Sequence, residues 1–293
     1  MSRERAAQLL EIFDDFDGEY KEAEVNEALS LREDLEPLLD RLLEEVAEQP
    51  ENFSEFGRFA HHYAVPLLIH FRAPATHLPI IRAFSLPGEA LDAVWGEVVT
   101  DSLPALLCRT AGGDYRAVKA LTLNQEVEPF VRAMALEALK LGVAQGDLAR
   151  DEALAFYASL MDDGFPAADE FLWTALVFEL LDLYPGELIG KIRDLYRGGV
   201  VTDEFVPLGK IEKIVEDGLE QALAKLPDRL AQRSPDDVHA YIAHLGCFRD
   251  PEWDYGDYSF AGEVSPPKSQ EKKKQNARKK RKQANAAKRK NRK

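Results

Sequence analysis

The chain has 293 residues, of which 45% are apolar and 30% are charged, so it is long enough to bury a substantial core. Its two cysteines, Cys108 and Cys247, exclude a disulfide framework and a cysteine-rich zinc module, and they indicate a reducing compartment. The first residues contain no uninterrupted apolar segment, and no stretch reaches the roughly 20 apolar residues that span a bilayer. We therefore expect a cytoplasmic protein with no membrane insertion.

The formal net charge of −15 hides two opposite parts of the chain. Residues 268–293 contain 14 Lys and Arg but one acid, Glu271, which gives this segment a net charge of +13. The remaining 23 bases and 51 acids give the rest of the chain a net charge of −28. An asymmetry of this size indicates a division of function between an acidic body and a basic tail.

Apolar residues recur three and four positions apart through the body, as they do on one face of an α-helix, and Gly or Pro residues separate these segments. The Gly112-Gly113-Asp114 turn predicts the end of one helix and the cap of the next. Residues 129–145 and 171–184 are apolar on more than one face, which predicts helices packed between neighbours. The sequence contains no convincing run of alternating β-branched residues, so the predicted fold is all-α.

Paired helices joined by short turns predict an α-solenoid of degenerate HEAT-like helical hairpins over residues 1–245. Residues 246–267 have no helical period and are predicted to form an aromatic and acidic linker. Its side chains Trp253, Tyr255, Tyr258 and Phe260 are expected to lie against the body. The Lys/Arg-rich segment 268–293 is predicted to be a disordered tail, since it has too few apolar residues to form a core.

Four segments resemble one known family: LDAVWGEVVTDSL at 91–103, the Gly112-Gly113-Asp114 turn, residues 130–139, and FLWTAL at 171–176. The chain resembles, over roughly residues 5–220, the bacterial family known as domain of unknown function eleven-eighty-six. The resemblance implies a bacterial, cytoplasmic, helical-repeat protein with no established activity. Many relatives end in a small zinc-binding module with several cysteines. This chain carries a lysine-rich tail instead, so a zinc-linked role does not transfer to it.

The candidate metal sites lack the spacing that their chemistry needs. His62 and His70 share one face of a predicted helix, but no third ligand has a suitable position. The acidic turn at residues 14–20 imitates a calcium loop, yet Phe13 would be its first ligand and Lys21 would stand where an oxygen is usual. We therefore predict no metal and no other cofactor.

Two further side chains are interpreted as structural. Cys108 lies on an apolar helical stripe with no recognisable catalytic partner, which favours packing over nucleophilic use. Glu179 interrupts an apolar helix and is interpreted as a helix-edge or locally paired residue. The alternative is a buried acid with a functional role.

The basic tail is the strongest functional pattern in the sequence. Lys and Arg neutralise phosphates and release counterions, so we predict that the tail binds nucleic acid, chiefly RNA or the ribosome, without reading its sequence. It has no aromatic residue for base stacking and no apolar face for membrane insertion. The alternatives are a solubility tail, contact with the acidic body, an acidic protein or an anionic lipid. The predicted nucleic-acid-binding residues are Lys272, Lys273, Lys274, Arg278, Lys279, Lys280, Arg281, Lys282, Lys288, Arg289, Lys290, Arg292 and Lys293.

These patterns together predict a non-catalytic interaction scaffold. The helical body would supply a protein-binding groove, which we place near Trp95, Thr100, Asp101 and Trp173, while the tail tethers the assembly to a polyanion. The alternative is an enzyme on a HEAT-like scaffold, either a hydrolase or a nucleic-acid-processing enzyme. A body with a net charge of −28 disfavours an enzyme that holds a duplex on its surface. A third hypothesis is a chaperone-like assembly factor whose acidic body shields a basic client.

Overall fold

The computed structural model describes residues 2–15, 19–54, 58–162, 164–234 and 236–245. Within these ranges the chain forms sixteen α-helices, three 3-10 helices and no strand, so the all-α prediction is confirmed. The 3-10 helices are Pro50–Phe53, Pro74–Thr76 and Gly186–Leu188. The α-helices are α1 (Ser2–Asp14), α2 (Glu22–Ser30), α3 (Arg32–Glu48), α4 (Ala60–Phe71), α5 (His77–Phe84), α6 (Gly88–Val94), α7 (Val98–Thr110), α8 (Arg116–Leu123), α9 (Pro129–Gln145), α10 (Arg150–Asp162), α11 (Glu170–Leu183), α12 (Ile189–Arg197), α13 (Leu208–Asp217), α14 (Leu219–Leu223), α15 (Leu226–Arg233) and α16 (Val238–His244).

Local signals set the ends of the two longest predicted helices. Helix α9 begins at Pro129, whose missing N–H costs nothing in a first turn, and it ends at Gly146, whose φ of +84° suits a left-handed C-terminal residue. Helix α11 begins one residue before the predicted segment, because Asp169 caps it by accepting a hydrogen bond from the amide of Leu172 at 3.0 Å. Both helices therefore lie where the apolar pattern predicts them.

The helices stack as a row of hairpins. Helices α4, α7, α9 and α11, which we call the central row, each contact the next one in turn. A second helix packs against each member: α3 against α4, α5 against α7, α8 against α9, and α10 against α11. Residues 102–110 of α7 and 131–142 of α9 are buried on every side of their helices. A helix that is buried all round needs neighbours on all sides, so the central row has to be covered on its second face as well.

The C-terminal helices provide that cover. Helix α14 packs on α11, α15 packs on α9 and α7, and α16 packs on α4, so the chain runs back along the central row toward its own N-terminal end. We call residues 219–245 the strap. The last contacts of the strap are with the N-terminal helices, where the ring of His239 lies 2.5 Å from the hydroxyl of Tyr20 and 3.0 Å from the side-chain oxygen of Asn26. The predicted linker (246–267) and tail (268–293) lie outside the described residues, so the predictions for them stay predictions.

Close packing inside the row gives a first testable prediction. A Cβ built on Gly142 of α9 would lie 2.4 Å from Cζ of the buried Tyr115, which is too close for any real contact. We expect Gly142→Ala to lower the free energy of unfolding by about 1–3 kcal/mol, although Ala favours helix more than Gly does. Chemical denaturation measures the change.

The matched control is Gly190→Ala in α12, where an added Cβ meets no atom within 4 Å. There the helix propensity of Ala acts alone, and we expect stabilisation of up to about 1 kcal/mol. Equal effects of the two substitutions would contradict the packing of α9 against Tyr115.

Candidate functional site

Six charged side chains meet where the strap crosses the central row. Each of three helices contributes two of them, one turn apart: Glu137 and Lys140 from α9, Glu179 and Asp182 from α11, and Arg229 and Arg233 from α15. We call these six residues the charged cluster. Positions three or four apart share one face of a helix, so each helix presents its two charges in the same direction. Three carboxylates face three basic groups, and their formal charges cancel.

The two arginines of α15 bind the strap to the central row through ion pairs. Arg233 makes a bidentate pair with Glu137, in which Nε donates to Oε1 at 2.7 Å and Nη2 donates to Oε2 at 2.5 Å. Arg229 donates from Nε to Oδ2 of Asp182 at 3.1 Å. Bidentate guanidinium–carboxylate pairs fix orientation as well as distance. The pairs therefore set how α15 lies across α9 and α11.

Lys140 lies at the centre of the cluster. Its Nζ is 2.7 Å from Oε2 of Glu179, 3.6 Å from Oδ2 of Asp182 and 4.0 Å from Oε1 of Glu137. Burial acts against its charged form, but the three carboxylates outweigh burial and raise the pKa of Lys140 to about 12. The lysine is therefore protonated throughout the physiological range.

The two glutamates of the cluster shift in opposite directions. Burial raises the pKa of Glu179 to about 7, with the nearby charges of Glu137 and Asp182 adding to the effect and Lys140 opposing it. Burial also opposes ionisation of Glu137, but the charge and hydrogen bonds of Arg233 prevail and lower its pKa. Of these two glutamates, Glu179 thus takes up a proton first as the pH falls.

The arrangement is one of mutual charge pairing. Each of the six groups lies within ion-pair distance of a partner from another helix of the cluster. Buried charges cost desolvation energy wherever their partners are missing, so a cluster of this kind disfavours every other position of the strap. Its effect is to specify where the strap binds the row.

The structure places Trp95 in the core. The residue is 2% exposed, its Nε1 donates to the carbonyl of Ala83 at 2.7 Å, and its ring stacks on Phe84 with centroids 4.1 Å apart. A tryptophan that is satisfied in this way does not line an open groove. It lies among core residues because it follows α6 directly and closes the space beside α5.

The other three predicted groove residues are divided between two helices. Thr100 and Asp101 lie in the first turn of α7, where Thr100 donates to the carbonyl of Glu97 at 3.1 Å. The negative charge of Asp101 favours the charged form of Arg233 and contributes to raising the pKa of that arginine. Trp173 is half-buried in α11 and meets Phe165 edge-on, with ring centroids 5.7 Å apart. Because α9 lies between α7 and α11 in the central row, the structure does not bring the four residues together. The surface near Asp101 is the one that the strap covers.

Glu179 is buried, with 8% exposure, and its partner Lys140 comes from a neighbouring helix, so its interpretation as a helix-edge residue is wrong. The five other members of the cluster were not predicted from the sequence. A usable signal was present, since α9 and α11 each carry a pair of charges three positions apart within a mostly apolar helix. Charges on the buried face of a helix require partners, but the sequence does not say which segment supplies them.

His62 and His70, which share one face of α4, have different surroundings. His62 stacks on Phe59 with centroids 4.4 Å apart, whereas His70 is exposed near the end of the helix. His61 is buried, and its Nε2 lies 3.1 Å from the carbonyl oxygen of Val94. Among the described residues, no group of three His, Cys, Asp or Glu side chains could hold a metal ion.

Asp14, at the start of the turn that imitates a calcium loop, belongs to the packing of α1 against α4. Its Oδ2 accepts from Nε of Arg58 at 2.8 Å, and its Oδ1 accepts from the amides of Phe59 and Ala60 at 3.2 and 3.0 Å. These two amides open α4, so Asp14 caps that helix from a distance in sequence. Residues 16–18 of the turn lie outside the described residues.

Cys108 is buried beside Tyr115, with Sγ 3.6 Å from the tyrosine hydroxyl. Burial raises its pKa to about 11, which disfavours the thiolate form that nucleophilic chemistry needs. These surroundings agree with its interpretation as a packing residue. Cys247 lies outside the described residues. In the part of the chain that the structure describes, no helix is both long and apolar enough to cross a membrane.

Comparison with known proteins supports the resemblance. The model of the family described as "Protein of unknown function (DUF1186)" matches residues 5–248. The chain belongs to this family. The matched range extends past the expected limit of about 220, so it contains the whole strap, and it ends before the basic tail. An uncharacterized protein of Chlamydia trachomatis serovar D is 26% identical over 204 residues, which cover 69% of this chain and 81% of the relative.

A second uncharacterized protein, from Chlamydia muridarum, is also 26% identical over 204 residues, covering 69% of this chain and 82% of the relative. No solved structure gives a significant match to the chain. Family membership therefore carries no activity with it.

The pairing of Arg233 with Glu137 leads to a prediction about stability. Replacing Arg233 with Met leaves the carboxylate of Glu137 buried without its main partner, so we expect the free energy of unfolding to fall by about 3–5 kcal/mol. The double variant Glu137→Met with Arg233→Met removes both charges and should recover most of that loss. Urea denaturation of the wild type, the two single variants Arg233→Met and Glu137→Met, and the double variant measures the coupling.

An exposed pair of the same chemistry is the control. Arg193 donates to Glu212 from side chains that are 47% and 41% exposed, so Arg193→Met should cost no more than about 1 kcal/mol. A loss at Arg233 as small as the loss at Arg193 would show that α15 is not held by buried charges.

The raised pKa of Glu179 predicts a pH dependence. In the unfolded chain the carboxyl titrates near pH 4.5, whereas in the folded chain its pKa is about 7, so the folded state binds the extra proton between these values. The contribution of Glu179 to stability is therefore fully present below about pH 4.5 and is lost as the pH rises through about 7. We expect the stability difference between the wild type and Glu179→Gln to fall across this window by about 1–3 kcal/mol.

Denaturation of both proteins at several pH values from 4.5 to 8 provides the measurement. Glu137 does not complicate the comparison. Because its pKa is lowered, its own titration changes the stability at pH values below this window. A difference that stays flat or rises with pH would contradict the assignment of the proton to Glu179.

Proposed function

We propose that this protein is a non-catalytic interaction scaffold in the bacterial cytoplasm, in which the polybasic tail tethers an acidic helical body to RNA or the ribosome. The observation that carries the proposal is the division of charge, with +13 in residues 268–293 and −28 in the rest of the chain. Lys and Arg residues bind phosphates by releasing counterions, while a body of high negative charge repels nucleic acid. Binding to a polyanion is therefore assigned to the tail.

The protein-binding half of the proposal concerns the central row. The strap covers this row, so a partner protein that uses it has to displace α15. Arg229 and Arg233 stand four positions apart on α15 and pair with Asp182 and Glu137. A partner helix with two arginines at the same spacing offers the row the same pairing, and this is the partner chemistry that we propose.

Deletion of residues 268–293 tests the tether. We expect the deletion to remove nearly all binding to a single-stranded RNA, measured by fluorescence anisotropy, because the remaining body repels phosphates. If roughly 6–10 basic side chains engage phosphates, the slope of log affinity against log salt in the full chain should be about −4 to −7. Changing Lys279, Lys280 and Lys282 to Gln should make the slope shallower by about 2.

The control removes three basic charges from the body instead. Arg193, Arg197 and Lys210 are exposed, and their change to Gln lowers the net charge equally without touching the tail. We expect that variant to keep the salt slope of the wild type. Equal RNA binding by the full-length and tail-deleted proteins would defeat the tether. A capture experiment from bacterial cells with and without nuclease then separates RNA-dependent partners from proteins bound by the body.

A further inference from the structure

A small cavity lies between the strap and the helices α4 and α7, just beyond the end of α15. It has a volume of about 170 Å³ and is lined by Ile69, His70, Arg72, Arg109, Ser234 and Asp236. The residues come from the end of α4, from α7, and from the turn that joins α15 to α16. The scaffold proposed above makes no use of this cavity.

Arg109 forms the inner wall of the cavity. Its side chain is only 6% exposed, and its guanidinium is held by the strap, with Nε donating to Oγ of Ser234 at 2.7 Å and Nη2 donating to the carbonyl of Ser234 at 3.0 Å. Neither of these two acceptors carries a charge, but Nη2 also donates to the carboxylate oxygen Oδ1 of Asp236, at a longer distance of 3.3 Å. Burial and the like charge of Arg72 lower the pKa of Arg109, while the charges of Asp236 and Asp147 act in the opposite direction.

Arg72 brings a second guanidinium to the same place. It ends α4 in the left-handed conformation, with φ of +52°, and its side chain is 53% exposed. Its Nη2 lies 3.6 Å from Oδ1 of Asp236, and Nη2 of Arg109 lies 3.3 Å from the same oxygen. Charge-assisted pairs of this type are normally about 2.7–2.9 Å long, so one carboxylate oxygen stands between two arginines without closing a tight bond to either.

The acids nearest to the cavity are exposed to water or engaged elsewhere, so they balance the positive charges of Arg72 and Arg109 only in part. The side chain of Asp236 is 90% exposed, so much of its interaction is with water. The neighbouring Asp237 is engaged elsewhere, because its Oδ1 accepts from the amides of His239 and Ala240 at 2.8 and 3.2 Å and caps α16. Two guanidiniums therefore share one loosely held carboxylate. Among the residues that line the cavity, two arginines thus stand against one carboxylate, in a body whose net charge is −28.

We infer that this cavity binds a phosphate group, as inorganic phosphate or as a phosphate monoester, whose oxygens take the place of the Asp236 carboxylate between Arg72 and Arg109. A dianion matches two guanidiniums, and its several oxygens accept from both forks at once. The volume equals that of about five or six water molecules at roughly 30 Å³ each, which suits one small anion and excludes a large ligand. His70 lies at the rim as a further hydrogen-bonding group.

Calorimetric titration of the full chain with inorganic phosphate, at constant ionic strength maintained with chloride, tests this site. Arg72→Gln removes one guanidinium, and we expect it to weaken phosphate binding about tenfold or more. Asp236→Asn removes the competing carboxylate, and we expect it to strengthen binding about threefold to tenfold. Both side chains are more than half exposed, so neither substitution threatens the fold.

The control is Arg82→Gln, which removes an arginine of similar exposure that pairs with Glu44 on α3 and does not line the cavity. We expect it to bind phosphate as the wild type does. Because all variants keep the basic tail, phosphate bound only by the tail would give the same affinity in all four proteins, and that result would overturn the inference. So would the absence of binding at 10 mM phosphate, an order of magnitude above a millimolar dissociation constant.

Two further probes identify the source of the anion. A phosphoserine peptide that binds as tightly as inorganic phosphate, with the same response to Arg72→Gln, would assign the site to phosphate monoesters. Weaker binding of the peptide would assign it to the free ion. Acetate should not compete, since a single charge cannot match two guanidiniums; acetate that competed equally would overturn the assignment to phosphate.

Discussion

The pairing of α15 with the central row is the interaction on which the rest of the structure depends. Helix α9 is buried on all sides over residues 131–142, yet it carries Glu137 and Lys140 where α11 and α15 meet it. Two charges on a buried helix are stable only if opposite charges reach them. Helix α11 supplies two carboxylates and α15 supplies two arginines, and the ion pairs among these groups hold α15 against the central row. The strap is thus required by the sequence of α9.

The two helices α15 and α16 of the strap are held against the central row by different interactions. Helix α15 buries few apolar side chains, and Leu226 is the residue within it that joins the core, so its arginines determine its position. Helix α16 contributes Val238, Tyr241 and Ile242 to the core, and their burial supplies most of the adhesion at about 25 cal/mol per Å² of apolar surface. A purely apolar strap would bind as well but could slide by a turn, whereas the two arginine pairs allow one register.

Much of the fold could be predicted from the sequence, and the candidate site could not. The apolar period of 3.6 residues locates α9, and Pro129 and Gly146 mark its two ends. These signals can be read from the sequence because each depends only on neighbouring residues. The pair Glu137–Arg233 joins residues 96 positions apart, and no local pattern reports such a contact. For the same reason Trp95 reads as a candidate surface aromatic in the sequence, although it fills the space between α5 and α6. Whether a residue is buried depends on how the helices of the row pack together. The sequence alone shows only which residues can be buried.

The route of the strap also determines where the basic tail leaves the body. The strap ends beside α4 and α2, as the contacts of His239 with Tyr20 and Asn26 show. The first 53 residues hold 17 acids and 5 bases, so the chain departs next to a region with a net charge of −12. The 22 residues from 246 to 267 span at most about 75 Å when fully extended, which is long enough for the tail to reach these carboxylates. In the proposed tether, a polyanion that binds the tail would therefore compete with the protein's own N-terminal helices. At physiological ionic strength the attraction between tail and body would be screened beyond about 8 Å, so a dense phosphate backbone would displace scattered surface carboxylates, whereas an isolated phosphate would not. Under this proposal, a body charged in this way would admit long polyanions to the tail and discriminate against small ones.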